Sequence, residues 1–186
     1  AIRSALGRVL AEPIISPINV PSYANSAMDG YAINAADLQG TAPIKLGVVG
    51  TAWAGQPFAG EITPGQCVRI MTGAKMPASA DTVIMQEHVQ REGDTITLGT
   101  EHTAGQNVRH PGEDIAQGST VLAPGKRIGA AELGLLASLG FPEVSVRRRV
   151  RVAFFSTGDE LRAVGEPLAE GQIYDLSLIH ISEPTR

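Results

Sequence analysis

The stretch N25-S-A-M-D-G-Y-A32 places one carboxylate, Asp29, between a methionine and a glycine, with no further acid until Asp37. Asp-Gly is turn chemistry: glycine lets the backbone reverse sharply, and Asp bonds its own backbone. On both sides of this turn the chain reads as extended. Upstream, Ile14 to Pro21 carries Pro17 and Pro21, which forbid a helix. Downstream come I44-K-L-G-V-V49, C67-V-R-I-M71, D81-T-V-I-M85 and T95-I-T-L98, all short and separated by Gly and Pro. Runs of this kind predict a small β-rich domain over residues 16–118. Ahead of it, Leu6, Val9 and Leu10 fall at i, i+3 and i+4, which predicts the tail of an amphipathic helix ended by Pro13.

Near residue 118 the pattern changes. A130-A-E-L-G-L-L-A-S-L139 predicts a helix with Leu133, Leu136 and Leu139 on one stripe, Gly140 at its C′ position and Pro142 beyond. V144-S-V-R-R-R-V-R-V-A-F-F155 follows and leads into S156-T-G-D-E160. A continuous V-A-F-F run predicts a strand buried on both faces. A strand ending in a Gly turn with hydroxyls and acids is how many α/β sites begin. The fold class expected is mixed α/β and multidomain: an inserted β-rich domain, a partial helical and extended linker domain, and the first strand of a truncated α/β domain.

Composition bounds the function. The chain has 186 residues, 43% hydrophobic and 18% charged, which is globular rather than disordered composition. Aromatics are 4%, so Val, Ile, Leu and Ala must fill the core. A net charge of −4 argues against nucleic acid as a partner. The exception, R147-R-R-V-R151, reads as a solvated strand edge, with phosphate binding as the alternative. The lone thiol, Cys67, allows no intrachain disulfide and no Cys-based zinc cluster, which fits a reducing, cytoplasmic setting. In its strand-like run it reads as a small buried hydrophobe. No apolar run approaches the roughly 18 residues of a membrane span.

The common nucleotide, zinc-protease and serine-hydrolase motifs are absent. His88, His102 and His110 lack ligand spacing and read as surface residues. What remains is a set of polar turns: A-M-D-G from Ala27 to Gly30, M-T-G-A from Met71 to Ala74, P-G-E-D-I from Pro111 to Ile115, and S-T-G-D-E-L from Ser156 to Leu161. Their carboxylates and hydroxyls are hard oxygen donors suited to Mg²⁺, which one or two carboxylates and substrate phosphates usually hold. A site built from them contains Asp29, Thr72, Asp114 and Glu160, with Glu113 and Asp159 in reserve. Taken singly, each is also an ordinary turn.

The stretch from Gly7 to Ala32 resembles the signature of the molybdopterin molybdenumtransferases, the MoeA family, which includes the E-domain of gephyrin. Further matches follow in family order: A-G-Q-P from Ala54, V68-R-I-M-T-G-A74, V83-I-M-Q-E87, G105-Q-N-V-R109, G112-E-D-I115, L135-L-A-S-L-G140, F155-S-T-G-D-E-L161 and G171-Q-I-Y-D175. The resemblance implies Mg²⁺-dependent insertion of molybdate into adenylylated molybdopterin with release of AMP. It implies catalytic roles for Asp29, Thr72, Asp114 and Glu160. Asp114 and Glu160 would place the metal or the pterin, while Asp29 and Thr72 would orient molybdate or the attacking oxygen. Ser156, Thr157, Gly158 and Asp159 would contact the molybdopterin substrate.

The resemblance also implies a four-domain homodimer, supplied upstream by a molybdopterin adenylyltransferase. Residues 1–15 and 119–147 match parts of its first domain, 16–118 its second, and 148–175 the opening of its third, α/β domain. The glycine-rich turns of that third domain lie beyond this sequence, which predicts little activity for the chain alone. Two other readings stand beside this one: a non-catalytic scaffold module of the same family, and a tungsten-inserting paralogue. Residues 176–186, L-S-L-I-H-I-S-E-P-T-R, back-translate to a string resembling a sequencing-library adaptor, and read as a non-native tail.

Overall fold

Side chains alternate across a strand, so a strand whose successive residues are all apolar needs cover on both faces. The computed structural model describes residues 1–39, 43–153 and 155–177, and in it the central sheet has that property. The chain runs through β1 (Ile14–Ile15), β2 (Asn25–Ser26), β3 (Gly30–Ile33), β4 (Ile44–Ala52), β5 (Gln66–Ile70) and β6 (Thr82–Met85). It continues through β7 (Gln90–Glu92), β8 (Thr95–Leu98), β9 (Val108–Arg109), β10 (Thr120–Leu122) and helix α1 (Ala130–Ser138), and ends with β11 (Leu161–Arg162) and β12 (Ile173–Tyr174). Six strands form one mixed sheet in the order β6-β3-β5-β4-β8-β7, antiparallel except for β4 against β5.

Each face of the sheet buries its own cluster. Tyr31, Ile33, Leu46, Cys67, Ile84 and Ile96 pack on one side. Ala32, Val68, Ile70, Ala74 and Val83 pack on the other. Successive residues thus divide between the clusters, which is the strand period made visible. Cys67 is fully buried, and desolvation pushes its thiol up to about 12. The observed fold is mostly sheet with a single α-helix among the described residues.

A third cluster joins the two ends of the first unit: Ala5, Leu10, Ile14, Ile128 and Leu136, with Phe141 and Val146 against it. The helix supplies Leu136. Glu132 accepts the Gly129 N–H at its start, 2.9 Å away. At its end Gly140 takes φ +79, and the N–H groups of Gly140 and Phe141 return to the carbonyls of Ala137 and Leu136. That is a Schellman closure, with Phe141 beside Leu136 as its apolar contact.

Four expectations are corrected. The predicted helix over Leu6–Leu10 is absent. A 3₁₀ turn spans Ile2–Ala5, Gly7 turns the chain at φ +73, and Val9 and Leu10 sit in isolated β-bridges. Val9 bridges Arg127 and Leu10 bridges Val146, so the i, i+4 spacing hid a backbone bonded on both sides. The V-A-F-F strand is also absent. Residues 148–153 and 155 carry no strand assignment, and Val150 and Phe155 are 85% and 87% exposed. A strand needs partners along its edges, and no described residue pairs with this run; Phe154 lies outside the described residues. The arginine run is not a strand edge either: 147–151 carry no strand assignment, and Arg147 only donates its N–H to Val9 beside the Leu10–Val146 bridge. Finally, His102 is no surface histidine. Its side chain is 3% exposed, its ring stacks on His88 at 6.0 Å, and its Nδ1 lies 3.3 Å from the Gln106 amide.

The chain divides into two units, Ala1–Arg147 and one beginning at Arg148. In the second, β11 and β12 pair in parallel, Leu161 with Ile173 and Arg162 with Tyr174. Of the expected non-native tail, Leu176 is exposed, and 178–186 lie outside the described residues. Among the described residues, no helix is long and apolar enough to cross a membrane.

Candidate functional site

Two turns at one end of the sheet are laced together by backbone bonds. β2 leads into the Ala27–Gly30 turn, and β5 leads into the Met71–Ala74 turn. The Ser26 N–H donates to Ala74 and the Gly73 N–H donates to Ser26, at 3.1 and 2.8 Å. Gly73 adopts φ +78, which an L side chain resists. Gly30 is required for a different reason: a Cβ there would lie 2.0 Å from the Ile84 carbonyl oxygen of the adjacent strand. The Ala27 N–H donates to Asn107, itself at φ +57.

The lacing sets Thr72 over Asp29. The Thr72 N–H and its hydroxyl both donate to Asp29 Oδ1, each at 2.7 Å. The backbone donor, then the hydroxyl, and with them the charge of Arg69 hold this carboxyl below its usual range. Asp29 is exposed and ionised, with Oδ1 occupied by Thr72.

Asp114 has a different partner. Arg109 Nη2 donates to its Oδ1 at 2.6 Å, and Arg109 Nε reaches Glu113 at 3.4 Å. The pairing raises the Arg109 pKa, with the Asp114 hydrogen bond as the leading cause. Backbone bonds from Gly112 to Pro21 and from Asp114 to Val20 fix the turn. Because β9 pairs with β2, Arg109 lies opposite Asn25, so the strand leading to Asp29 also anchors the Asp114 turn.

Glu160, Ser156, Thr157, Gly158 and Asp159 belong to the second unit. There the Glu160 carbonyl accepts the Ile173 N–H at 2.8 Å. Gly158, at φ +156, leaves room for the Glu160 carboxylate, which a Cβ would meet at 2.5 Å. Ser156 and Gly158 line a 230 Å³ concavity with Leu161, Arg162 and Asp175. Hydrogen bonds from Ser156, then Ser177, hold the Asp175 carboxyl low.

Of the four expected site residues, the structure brings Asp29 and Thr72 into contact. It gives Asp114 to Arg109 and carries Glu160 on the other unit. No group of three or more His, Cys, Asp or Glu side chains with metal-binding geometry occurs among the described residues. Sequence reasoning passed over Arg69, Gln86 and Glu87. The Gln86 N–H donates to the Asp29 carbonyl at 3.1 Å, and Glu87 is close enough for the Asp29 charge to oppose its ionisation. V68-R-I-M-T-G-A74 carries Arg69 inside β5, and V83-I-M-Q-E87 carries Gln86 and Glu87 just past the end of β6.

The family described as "MoeA N-terminal region (domain I and II)" matches residues 1–140. This chain belongs to the MoeA family. A molybdopterin molybdenumtransferase of Haemophilus influenzae is 50% identical over 175 residues, covering 94% of this chain and 43% of that protein. One from Nostoc is 41% identical, covering 92% and 40%. The crystal structure of a molybdopterin biosynthesis MoeA protein from Pyrococcus horikosii superposes with a TM-score of 0.87 at 37% identity, covering 94% of this chain and 46% of that one. The chain therefore spans less than half the length of these relatives.

Proposed function

We propose that the chain is the N-terminal part of a molybdopterin molybdenumtransferase, acting in molybdenum cofactor biosynthesis by inserting molybdate into adenylylated molybdopterin with release of AMP. The observation that carries this reading is the Asp29–Thr72 pair, two expected site residues in direct contact at 2.7 Å. The names of the relatives support the same reaction class. In this reading 16–118 form the second domain, 1–15 and 119–147 parts of the first, and 148–175 the opening of the third.

Each residue then has a task. Thr72 holds Asp29 ionised and fixed, so that its carboxylate accepts hydrogen bonds from the attacking oxygen or from protonated molybdate. Ser156, Thr157, Gly158 and Asp159 contact the pterin substrate. Asp114 and Glu160 would hold Mg²⁺, which supplies charge neutralisation where anionic molybdate and the adenylate phosphate meet carboxylates. Each is an exposed hard-oxygen donor of the kind that ion takes. Asp114 must share its carboxylate with Arg109 to serve. The full protein works as a cytoplasmic homodimer fed by a molybdopterin adenylyltransferase.

The test is AMP release by the full-length protein with molybdate and Mg²⁺. Asp29→Asn and Glu160→Gln are each expected to lower turnover at least about a hundredfold with the fold intact. Near-normal turnover in Asp29→Asn would overturn the reading. This chain by itself is expected to release no AMP, since it spans less than half of its relatives.

A further inference from the structure

Thr72 is not the only group that fixes the Asp29 turn. The Gln86 N–H donates to the Asp29 carbonyl at 3.1 Å. The Gln86 side chain is held at both ends: Arg69 Nη2 donates to its Oε1, and its Nε2 donates to Glu87 Oε1 at 3.0 Å. Arg69 is itself placed by the sheet. In the register of β3 with β5 it lies opposite Tyr31, and its guanidinium sits 5.0 Å from the centre of that ring. The chain of contacts is therefore Tyr31, Arg69, Gln86, Glu87, with Asp29 bonded to the backbone of Gln86.

The charges run along the same line. Arg69 adds to the lowering of the Asp29 carboxyl. Glu87 is lowered chiefly by the Gln86 amide, with His88 a smaller favourable influence and Asp29 opposing. Two exposed carboxylates within electrostatic reach separate if nothing restrains them. Here each has its own donor, Thr72 for Asp29 and Gln86 for Glu87. Exposed polar pairs contribute little to stability, so this order on an exposed rim is not explained by folding.

We propose that Arg69 and Gln86 are positioning residues of the Asp29 site: Arg69 aims Gln86, and Gln86 sets the Asp29 turn and holds Glu87 beside it. The relay stands on geometry alone; its importance for turnover rests on the reaction proposed above. Glu87 thereby joins Asp29 as a carboxylate presented to substrate.

The relay is read by titrating the Asp29 and Glu87 carboxyls by ¹³C NMR in this chain and in Arg69→Met, which keeps an apolar stem against Tyr31. Both carboxyls are expected to titrate at higher pH in the variant. Gln86→Met leaves the Arg69 charge in place and removes only the amide between Arg69 and Glu87, so a matching rise at Glu87 in that variant reports transmission through Gln86. Arg69→Lys restores the charge without the fork and is expected to rescue Asp29 more than Glu87. An unchanged Glu87 titration in folded Arg69→Met overturns the relay. Should Arg69→Met fail to fold, Gln86→Met takes its place, with the same rise expected at Glu87 and the same unchanged result fatal. In the full-length protein, Arg69→Met is expected to lower kcat roughly ten- to a hundredfold with little change in KM. Normal kcat there, beside an inactive Asp29→Asn, overturns the positioning role. A shifted Glu87 titration beside a fully active Asp29→Asn leaves the relay standing and removes the proposed reaction.

Discussion

Thr72 places a hydroxyl 2.7 Å from the Asp29 carboxylate, and in the second unit the Ser177 N–H donates to the carboxylate of Asp175 at 2.9 Å, with Ser156 the leading cause of its lowered pKa. The local chemistry is the same: a hydroxyl, a backbone N–H and an acid whose pKa falls. The surroundings differ. Asp29 follows β2 and precedes β3, whose residues Gly30–Ile33 are all buried, in a six-stranded sheet with a cluster on each face. Asp175 follows a ladder of two residue pairs in which Ile173 and Tyr174 are exposed. A hydroxyl on a carboxylate makes a turn, and only the scaffold behind it makes that turn a fixed point. The first unit supplies its own scaffold; in the second, Val164, Leu168, Ile173 and Tyr174 are exposed among the described residues.

The largest effect that separates the two regions lies at glycines. Gly30→Val puts a branched side chain where a Cβ already meets the Ile84 carbonyl at 2.0 Å, against backbone atoms of Ile84 and Met85 that cannot swing away. The expected cost is about 4 kcal/mol or more, enough to remove the folded state of a marginal domain. Gly158→Ala meets only the end of the Glu160 side chain, which can rotate. Urea unfolding followed by far-ultraviolet circular dichroism is expected to show the first variant unfolded and the second with an unchanged main transition. Equal effects would erase the distinction between the regions.

Next in size is the deletion of buried volume. Ile84 is fully buried in the cluster on one face of the sheet, whereas Phe155 is 87% exposed. Ile84→Ala is expected to cost about 2–5 kcal/mol, and Phe155→Ala within about 0.5 kcal/mol of zero, measured as the shift in urea midpoint at constant slope. A large cost at Phe155 would show that the second unit owns a core.

The same contrast explains what could be read from the residues. Thr95–Leu98 and Ala130–Ser138 were legible because period-2 alternation and a Gly-terminated leucine stripe state their partners locally. Leu6, Val9 and Leu10 misled because three apolar residues satisfy a helical spacing by chance, and only Gly7 at φ +73 and the bridges to Arg127 and Val146 show otherwise. V-A-F-F misled because burial is a property of neighbours, and none of the described residues pairs with it. Asp29 and Thr72 were legible as candidates through their two motifs, and the structure brings them into contact. Arg69, Gln86 and Glu87 were not, because their meeting depends on the register of three strands, Tyr31 opposite both Arg69 and Ile84. Register is a tertiary fact that no single strand records.

A smaller effect tests burial in the sheet directly. Cys67 is fully buried and its thiol is pushed up to about 12, so it carries almost no thiolate at neutral pH. Alkylation by iodoacetamide at pH 8 is expected to be at least about a hundredfold slower in the folded chain than in urea. Modification at the unfolded rate would mean that β5 is open on its Tyr31 face.

The smallest effect compares the two acids themselves. Asp29 has a folded pKa below its ordinary value, first because of the Thr72 N–H and then its hydroxyl. An acid lowered on folding binds fewer protons in the native state, so its contribution to stability is complete above the unfolded pKa of about 4 and fades as pH falls through the folded value. The first unit should therefore lose stability below about pH 4 in part through Asp29. Thr72→Val removes one of the two donors and returns Asp29 toward its ordinary range, so the acid-side decline of the urea midpoint becomes shallower than in the parent chain. Asp175 is lowered too, by Ser156 and Ser177, yet its turn has no buried cluster behind it among the described residues. Ser156→Ala is expected to raise the Asp175 titration seen by ¹³C NMR while the pH dependence of the main unfolding transition stays as it was. If Ser156→Ala instead flattens that dependence as Thr72→Val does, the second unit unfolds cooperatively with the sheet, and the hydroxyl–carboxylate turn is as well supported there as at Asp29.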